Sequence, residues 1–390
     1  MESADVVVIG AGIFGASIAF QLARRGAGRV VLIDERGPAG GMSGRTFNQV
    51  RRHYSNELTI RLANRGFEVL DHWADEVGVG DPGYVRFGYL LLVPEEAVEA
   101  CKGNIALGTR CGVDTRFLEP GEIPDVEPLV NLDGVAGAAF EPDGGVIDVH
   151  KMILSWVVAG IGHGLVTRFG AAVAAVEAEG DGVTGVRLRG GDVVRTPVVV
   201  NAAGLWGRDL VAPLGVALPI AFFRLHMAYL RQRVGQLQLR VAVTDTAGGL
   251  VMRPDQGPLA LAVAYEKDQA PRDRPSDDAG VAPGYERFLR ETLRRRVPAY
   301  ADATWERAVS GLYDVTPDWH PILGWAPGVE GLYLALGWSG HGLKLAPAVG
   351  EVVAQEVLNE TPSIDISPLR LQRFQEGRLM HLAYGPGARA

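Results

Sequence analysis

Short apolar runs alternate along this chain with longer segments in which apolar residues recur every three or four positions. The first pattern is typical of buried strands and the second of amphipathic helices. Strands are predicted at 6–9, 30–33, 89–93, 171–177, 183–189, 197–200, 227–230, 250–252, 259–263 and 331–336. Helices are predicted at 17–23, 58–77, 94–111, 152–158, 285–297 and 343–358. A polar, proline-rich segment at 269–283 is expected to be an exposed loop.

The order of these elements predicts an α/β protein with two domains. A strand–helix–strand unit at the start favours a parallel sheet, and the shorter strands of the middle segments suit an antiparallel one. A chain of 390 residues is long enough for two hydrophobic cores. We therefore expect a discontinuous first domain from residues 1–84, 147–219 and 312–390. A second domain, from 85–146 and 220–311, is inserted into it.

Three glycines lie where the first predicted strand turns into the first helix. Gly10 permits the tight turn, Gly12 leaves room for a phosphate group, and Gly15 lets the helix pack on the strand. The turn places the partial positive charge of a helix N-terminus beside that phosphate. Asp34 ends the next strand, 24 positions after Gly10, where a carboxylate binds ribose hydroxyls and disfavours NADP. This pattern predicts a dinucleotide site and leaves FAD and NAD open.

Composition narrows the function classes. The net charge of −8 is spread without long acidic or basic blocks, so the sequence suggests no nucleic-acid partner. Cys101 and Cys111 are too few for a disulfide framework or a cysteine zinc site, so no metal is expected. No apolar stretch approaches the ~20 residues that a transmembrane helix needs. No positively charged segment precedes the first apolar run, so this run is expected to be a strand and not a signal peptide, and a cytoplasmic location is expected.

Three motifs in a fixed order resemble one enzyme family. They are the glycine turn at 10–15, the stretch Asn201-Ala202-Ala203-Gly204-Leu205-Trp206, and Thr316-Pro317-Asp318 leading to Gly337-Trp338-Ser339-Gly340-His341-Gly342-Leu343-Lys344. The chain resembles the D-amino acid oxidase (DAO) family of FAD enzymes, in its branch with monomeric sarcosine oxidase and glycine oxidase. The resemblance implies a glutathione-reductase-like, Rossmann-type FAD-binding domain with an inserted α+β substrate domain that contains an antiparallel sheet.

The resemblance also implies which residues bind FAD. They include the glycine turn, the ribose acid, a loop along the flavin, a segment at the adenine and the turn beneath the isoalloxazine ring. In this sequence they are Gly10, Gly12, Ile13, Phe14, Gly15, Asp34, Glu35, Arg36, Ser43, Gly44, Arg45, Val50, Val173, Ala203, Gly204, Trp206, Gly340, Gly342, Leu343 and Lys344.

For the substrate, the resemblance aligns Arg52 and Lys344 with cations that hold an amino-acid carboxylate. Tyr313 and His341 align with positions in the active site, and Arg51 is the less certain neighbour of Arg52 because adjacent strand residues point oppositely.

Arg253 and His226 lie on predicted strands of the second domain. An Arg253 that reaches the pocket would favour a substrate with a second carboxylate.

Two positions depart from the branch. Gly311 stands where sarcosine oxidase-like proteins have the cysteine that bonds the flavin, so FAD is expected to be non-covalent. The alignment places Ala262 where the branch has a lysine that promotes the reaction of reduced flavin with dioxygen. Lys267 is near and is assigned to the following turn. Without the lysine, turnover with dioxygen is expected to be slow, which leaves room for another electron acceptor.

The leading hypothesis is therefore an FAD enzyme that oxidises the C–N bond of a small amino acid. The expected substrate is a secondary amine of the N-substituted glycine or proline type, which passes a hydride to flavin N5 and leaves an imine that water hydrolyses. Two alternatives stay open. One is a dehydrogenase that delivers electrons to a partner or quinone, and the other is a flavin-binding interaction protein without turnover.

Overall fold

A computed structural model of the protein describes residues 2–265 and 280–384. Most of the predicted loop at 269–283, and Lys267 with it, lies outside the described residues.

The first sheet has six strands and carries the glycine turn. Its strands, in spatial order, are Val166–Phe169, Val30–Asp34, Val6–Ile9, Val198–Asn201, Leu332–Leu336 and Ile322–Trp325. The first five are parallel and the last is antiparallel. Val6 and Val8 belong to the core on one face, and Val7 and Ile9 to the core on the other. Because helices or strands cover both faces, each strand is a continuous apolar run rather than an alternating one.

Four long helices accompany this sheet. They are Ile13–Arg24, Glu57–Asp71, Val149–Gly162 and Gly342–Val357. The Asp148 side chain accepts hydrogen bonds from the backbone N–H groups of His150 and Lys151, so the third helix begins at Val149, before the predicted position 152. The predicted helix at 58–77 is interrupted at His72 and continues as the short helix Trp73–Glu76.

The second large sheet has eight strands and is referred to below as the antiparallel sheet. Its strands, in spatial order, are Thr304–Val315, Ala221–Arg231, Leu259–Ala264, Leu250–Pro254, Ala242–Asp245, Tyr89–Val93, Gly137–Glu141 and Arg116–Leu118. All neighbours are antiparallel except Ala242–Asp245 and Tyr89–Val93. One face packs Ala228, Met252 and Ala262 into a core with the helix Tyr285–Arg296.

Smaller elements complete the described fold. A four-stranded sheet contains Glu2–Ser3, Val193–Arg195, Gly182–Leu188 and Val173–Glu179, and a three-stranded sheet contains Gln49–Val50, Gly145–Val146 and Val85–Arg86. The remaining α-helices are Val98–Arg110, Ile123–Val126 and Gly207–Val211. Short 3-10 turns lie at Met42–Arg45, Glu95–Ala97, Pro120–Glu122, Gly204–Trp206, Ala212–Leu214, Pro298–Tyr300, Ser367–Leu369 and Leu371–Phe374.

Candidate active site

An elongated cleft of about 480 Å³ lies between the parallel sheet and the antiparallel sheet. The carboxyl ends of the parallel strands contribute Ile9, Ile33 and Ala202 to its lining. The antiparallel sheet contributes Met227 and Val263, among others. A ligand site at the carboxyl ends of parallel strands is the general rule for such sheets.

The glycine turn has the tight backbone that the sequence predicts. Gly10 has φ of +100°, and a Cβ there would lie 2.5 Å from the Ala202 carbonyl oxygen. A Cβ on Gly15 would collide with the Gly10 carbonyl oxygen, so Gly15 serves the packing of helix on strand and does not line the cleft. Gly12 lines the cleft, and the neighbouring Ile13 N–H donates to Ser43 Oγ at 3.0 Å.

Asp34 holds the turn against the end of the second strand. Its carboxylate accepts hydrogen bonds from the backbone N–H groups of Ala11, Arg36 and Gly37, each at 2.7 Å. The Arg36 guanidinium lies 5.3 Å from the centre of the Trp206 ring, and both residues line the cleft. This end of the cleft therefore combines a helix N-terminus, a carboxylate and a cation stacked on an indole.

A second glycine turn closes the other end of the cleft. Gly340 has φ of +82°, and a Cβ there would lie 2.7 Å from the Tyr313 ring. The preceding Trp338 stacks on Phe14 of the first helix, with ring centroids 3.2 Å apart and planes 8° from parallel. The two turns are thus joined by an aromatic contact, and the helix Gly342–Val357 begins at the cleft.

Two buried cations, Arg51 and Lys344, line the cleft together. Arg51 is 7% exposed and Lys344 is 5% exposed, and both lie over the ring of Tyr54, at 4.7 and 5.4 Å from its centre. Among the described residues, neither has a carboxylate oxygen within 4 Å. Burial, together with the charge of Arg51, lowers the pKa of Lys344 well below its ordinary value. A negative ligand group here would offset the cost of burying these charges.

Arg52, predicted to hold the substrate carboxylate, does not line the cleft. Its Nε lies 3.1 Å from Glu141 Oε1, and its guanidinium also pairs with Asp143 and lies over Phe67. Glu141 is 1% exposed and needs a cation, which Arg52 supplies. The structure therefore corrects the prediction, and Arg51 takes the position in the cleft.

Arg253 and His226 are also turned away from the cleft. The Arg253 Nε donates to the Phe47 carbonyl at 2.7 Å, and its Nη1 donates to the Pro254 carbonyl and to Asp255 Oδ1. The His226 ring packs on Tyr285, with centroids 4.9 Å apart. The expected recognition of a second carboxylate by Arg253 therefore has no support in the geometry.

Ala262 lies on the opposite face of its strand from the cleft. It is packed in the core with Ala228 and Met252, whereas the next residue, Val263, lines the cleft. Side chains alternate along a strand, so a shift of one residue changes the face. The structure therefore has Val263, rather than Ala262, in the lining of the cleft. That position also carries no lysine.

Most of the residues predicted to bind FAD line the same cleft. They are Gly10, Gly12, Ile13, Phe14, Asp34, Glu35, Arg36, Ser43, Arg45, Val173, Ala203, Gly204, Trp206, Gly340, Gly342, Leu343 and Lys344, together with the predicted Tyr313. Gly44 and Val50 are not in the lining, and a Cβ on Gly44 would lie 2.4 Å from the Ala39 carbonyl oxygen. His341 is buried behind the turn and stacks with His320, with centroids 5.9 Å apart.

Several polar residues of the cleft were not predicted from the sequence, among them Tyr89, Thr244 and Asp314. The Asp314 carboxylate accepts a hydrogen bond from the Gly337 N–H at 2.9 Å. Burial raises the pKa of Asp314 to about 6, although backbone hydrogen bonds act in the opposite direction. Tyr89 belongs to a strand in which every residue is buried, so alternation gave no signal for it.

Within residues 2–265 and 280–384, no helix is both long and apolar enough to cross a membrane. The same residues contain no group of three histidine, cysteine or acidic side chains that could hold a metal ion.

Comparison with known families identifies the fold. Residues 5–356 match the DAO family, described as FAD dependent oxidoreductase. The chain belongs to this family. Two solved structures are similar over nearly the whole chain. L-proline dehydrogenase from P. horikoshii has a TM-score of 0.87 and 26% identity, covering 97% of this chain and all of that one. Glycine oxidase from Geobacillus kaustophilus has a TM-score of 0.82 and 25% identity, covering 96% and 99%.

Curated relatives extend the comparison. The chain is 30% identical over 380 residues to 4-methylaminobutanoate oxidase (formaldehyde-forming) of Paenarthrobacter nicotinovorans, covering 94% of this chain and 45% of the relative. It is 27% identical over 399 residues to human peroxisomal sarcosine oxidase, covering 97% and 98%. The chain spans less than half the length of several other relatives, among them mouse sarcosine dehydrogenase at 42%.

Membership of the DAO family confirms the expected fold, the oxidoreductase class and FAD as the cofactor. The cleft suits FAD on its own geometry. At one end Gly12 lines the cleft beside a helix N-terminus; at the other, a Cβ on Gly340 would press on the Tyr313 ring and one on Gly342 on the Phe14 ring.

Proposed function

We propose that this DAO-family chain oxidises the C–N bond of a small secondary amino acid, with FAD bound non-covalently. The observation that carries the proposal is the pair of buried cations, Arg51 and Lys344, which share one cleft and the Tyr54 ring. Two such cations fit the carboxylate that every amino acid carries. The names of the relatives support an amine donor, since they include sarcosine, dimethylglycine and proline dehydrogenases.

The chain's own residues would bind and orient the substrate. The Arg51 guanidinium offers several fixed N–H donors and Lys344 a single charge, so a carboxylate between them is fixed in direction as well as position. The same two charges disfavour a protonated amine nearby and therefore favour the neutral amine that loses a hydride. Bound FAD supplies the hydride acceptor. The N-terminus of the helix Gly342–Val357 stabilises negative charge at that end of the cleft.

We propose further that dioxygen is a poor electron acceptor for this enzyme. The residues of the described strand Leu259–Ala264 and its successor that line the cleft are Val263 and Tyr265, and neither carries a charge. A cation at this surface would stabilise superoxide as it forms. Its absence favours a dehydrogenase that uses another acceptor.

Anaerobic spectroscopy of the purified holoprotein tests both proposals. A panel of sarcosine, proline, N-methyl amino acids and primary amino acids is mixed with the protein, and the flavin absorption band is followed. We expect bleaching by secondary amino acids, and slow return of the band with air but fast return with an artificial dye. A band that stays oxidised with every member of the panel would leave the flavin-binding interaction protein as the better interpretation.

A further inference from the structure

One row of side chains crosses the cleft face of the antiparallel sheet. Thr244 pairs with Val251, and Val251 pairs with Val263 on the next strand. The pairing of Ala228 with Ala262 sets Met227 beside Val263, and Met227 pairs with Val309. All five side chains line the cleft. We call Val251, Val263, Met227 and Val309 the aliphatic row.

The polar end of this row lies toward the carboxylate cations. Tyr89 and Thr244 both line the cleft, and the centre of the Tyr89 ring lies 5.4 Å from the guanidinium of Arg51. The aliphatic row starts one strand further on, which is about 5 Å in a β-sheet. A substrate held by Arg51 would therefore have its carboxylate at the Tyr89 end and its remaining groups along the row.

Among the described residues, the strands that carry the row contribute no cation to the cleft; Arg45, which is predicted to bind FAD, lines it from the turn Met42–Arg45. On the described strands of the antiparallel sheet, the charged residue that lines the cleft is Asp314, an acid. Arg253, which the sequence suggested for binding a second carboxylate, is engaged by Phe47 and Asp255. A second carboxylate that lay along the row would thus meet no cation of these strands, which is unfavourable.

We propose that the aliphatic row makes this enzyme selective for monocarboxylic amino acids with an aliphatic substituent and excludes dicarboxylic ones. The inference rests on the proposed function, because it takes the carboxylate to bind at Arg51 and Lys344. Met227 and Val263, at the middle of the row, are then the residues that set the selectivity.

Calorimetric binding of simple carboxylates to the holoprotein tests the inference without turnover. The probes are acetate, 3-methylbutanoate and butanedioate. We expect 3-methylbutanoate to bind tenfold or more tighter than acetate, since each buried methylene favours binding by about fourfold. Butanedioate is expected to bind more weakly than 3-methylbutanoate by at least that factor.

Variants then locate the effect. Val263→Thr and Met227→Gln each place a polar group in the row, and each should reduce the preference for 3-methylbutanoate about fivefold or more. Met227→Leu should retain it. Ala262→Ser, on the same strand but facing the core behind the sheet, is the matched control and should leave the ratio unchanged.

The outcomes separate the two proposals. If acetate, 3-methylbutanoate and butanedioate bind equally while secondary amino acids still bleach the flavin, the selectivity is wrong and the proposed function stands. If no carboxylate binds and no amino acid bleaches the flavin, the proposed function fails, and the selectivity with it. A loss of preference in Ala262→Ser equal to that in Val263→Thr would also overturn the role of the row.

Discussion

Arg51 and Arg52 are neighbours in the sequence, yet their guanidinium groups lie in different environments. Arg51 lies over the Tyr54 and Tyr89 rings in the cleft, whereas Arg52 pairs with the buried Glu141 at 3.1 Å. The first is available to a ligand anion, and the second neutralises a carboxylate of the protein. The adjacent cations therefore serve binding and stability separately.

Replacing each arginine by methionine should give opposite results. Arg51→Met removes charged hydrogen bonds to the ligand, so carboxylate affinity should fall about 10- to 100-fold with little change in melting temperature. Arg52→Met leaves Glu141 buried without its cation and should lower the free energy of unfolding by about 3 kcal/mol. Calorimetry and thermal melting of both variants decide this. Loss of carboxylate binding in Arg52→Met, with unchanged stability, would restore Arg52 as the residue that holds the substrate carboxylate.

Carboxylate affinity should depend on pH through Lys344. Burial and Arg51 lower the pKa of Lys344, so its ammonium loses its proton at a lower pH than an exposed lysine does. Binding an anion needs the charged form, and affinity should therefore fall as pH rises through this pKa. Acetate titrations between about pH 6 and about pH 10 measure the slope. Lys344→Met should bind acetate weakly, and its affinity should not fall with pH in this range. A pH dependence that persists in this variant would assign the titration to another group.

The buried carboxyl of Asp314 should make the folded state less stable as the pH rises above the ordinary pKa of an aspartate. Its pKa is raised by burial to about 6, so the folded protein binds this proton more tightly than the unfolded chain does. Its contribution to stability is full at acid pH and is lost as pH rises to about 6. The free energy of unfolding of Asp314→Asn should increase relative to that of the parent protein by about 2–3 kcal/mol as the pH rises from about 4 to about 7. Melting temperatures at both pH values measure this, and a constant difference would contradict it.

FAD should leave the protein on denaturation. Gly311 lacks the sulfur that bonds flavin in sarcosine oxidase-like proteins, and no cysteine or histidine is found among the described residues that line the cleft. Acid precipitation should release the yellow chromophore completely into the supernatant. Flavin fluorescence that stays with the precipitated chain would show a covalent bond.

Local patterns in the sequence predict much of the fold and of the cofactor cleft. Gly10 and Gly340 are required by backbone geometry at their own positions, so their spacing from a strand and a helix identifies the turns. The continuous apolar strands Val6–Ile9 and Leu332–Leu336 likewise reflect burial on both faces, which the residue types alone indicate.

The errors concern side-chain direction, which distant residues decide. The strand Gln49–Val50 ends just before Arg51, so strand alternation does not extend to the two arginines. The directions of the two arginine side chains follow from Glu141, which pairs with Arg52 and lies 89 positions after it in the sequence. The face of Ala262 depends on its pairing with Ala228, and a one-residue error in alignment reverses it.

The central claim is that Arg51 and Lys344 hold the carboxylate of an amine substrate in the cleft. The most direct measurement is the anaerobic rate of flavin bleaching by an N-methyl amino acid, compared with the same amine lacking the carboxylate. The account predicts that the amino acid bleaches the flavin at least about 100-fold faster at equal concentration, since two charged contacts are lost without the carboxylate. Equal rates for the two compounds would contradict it.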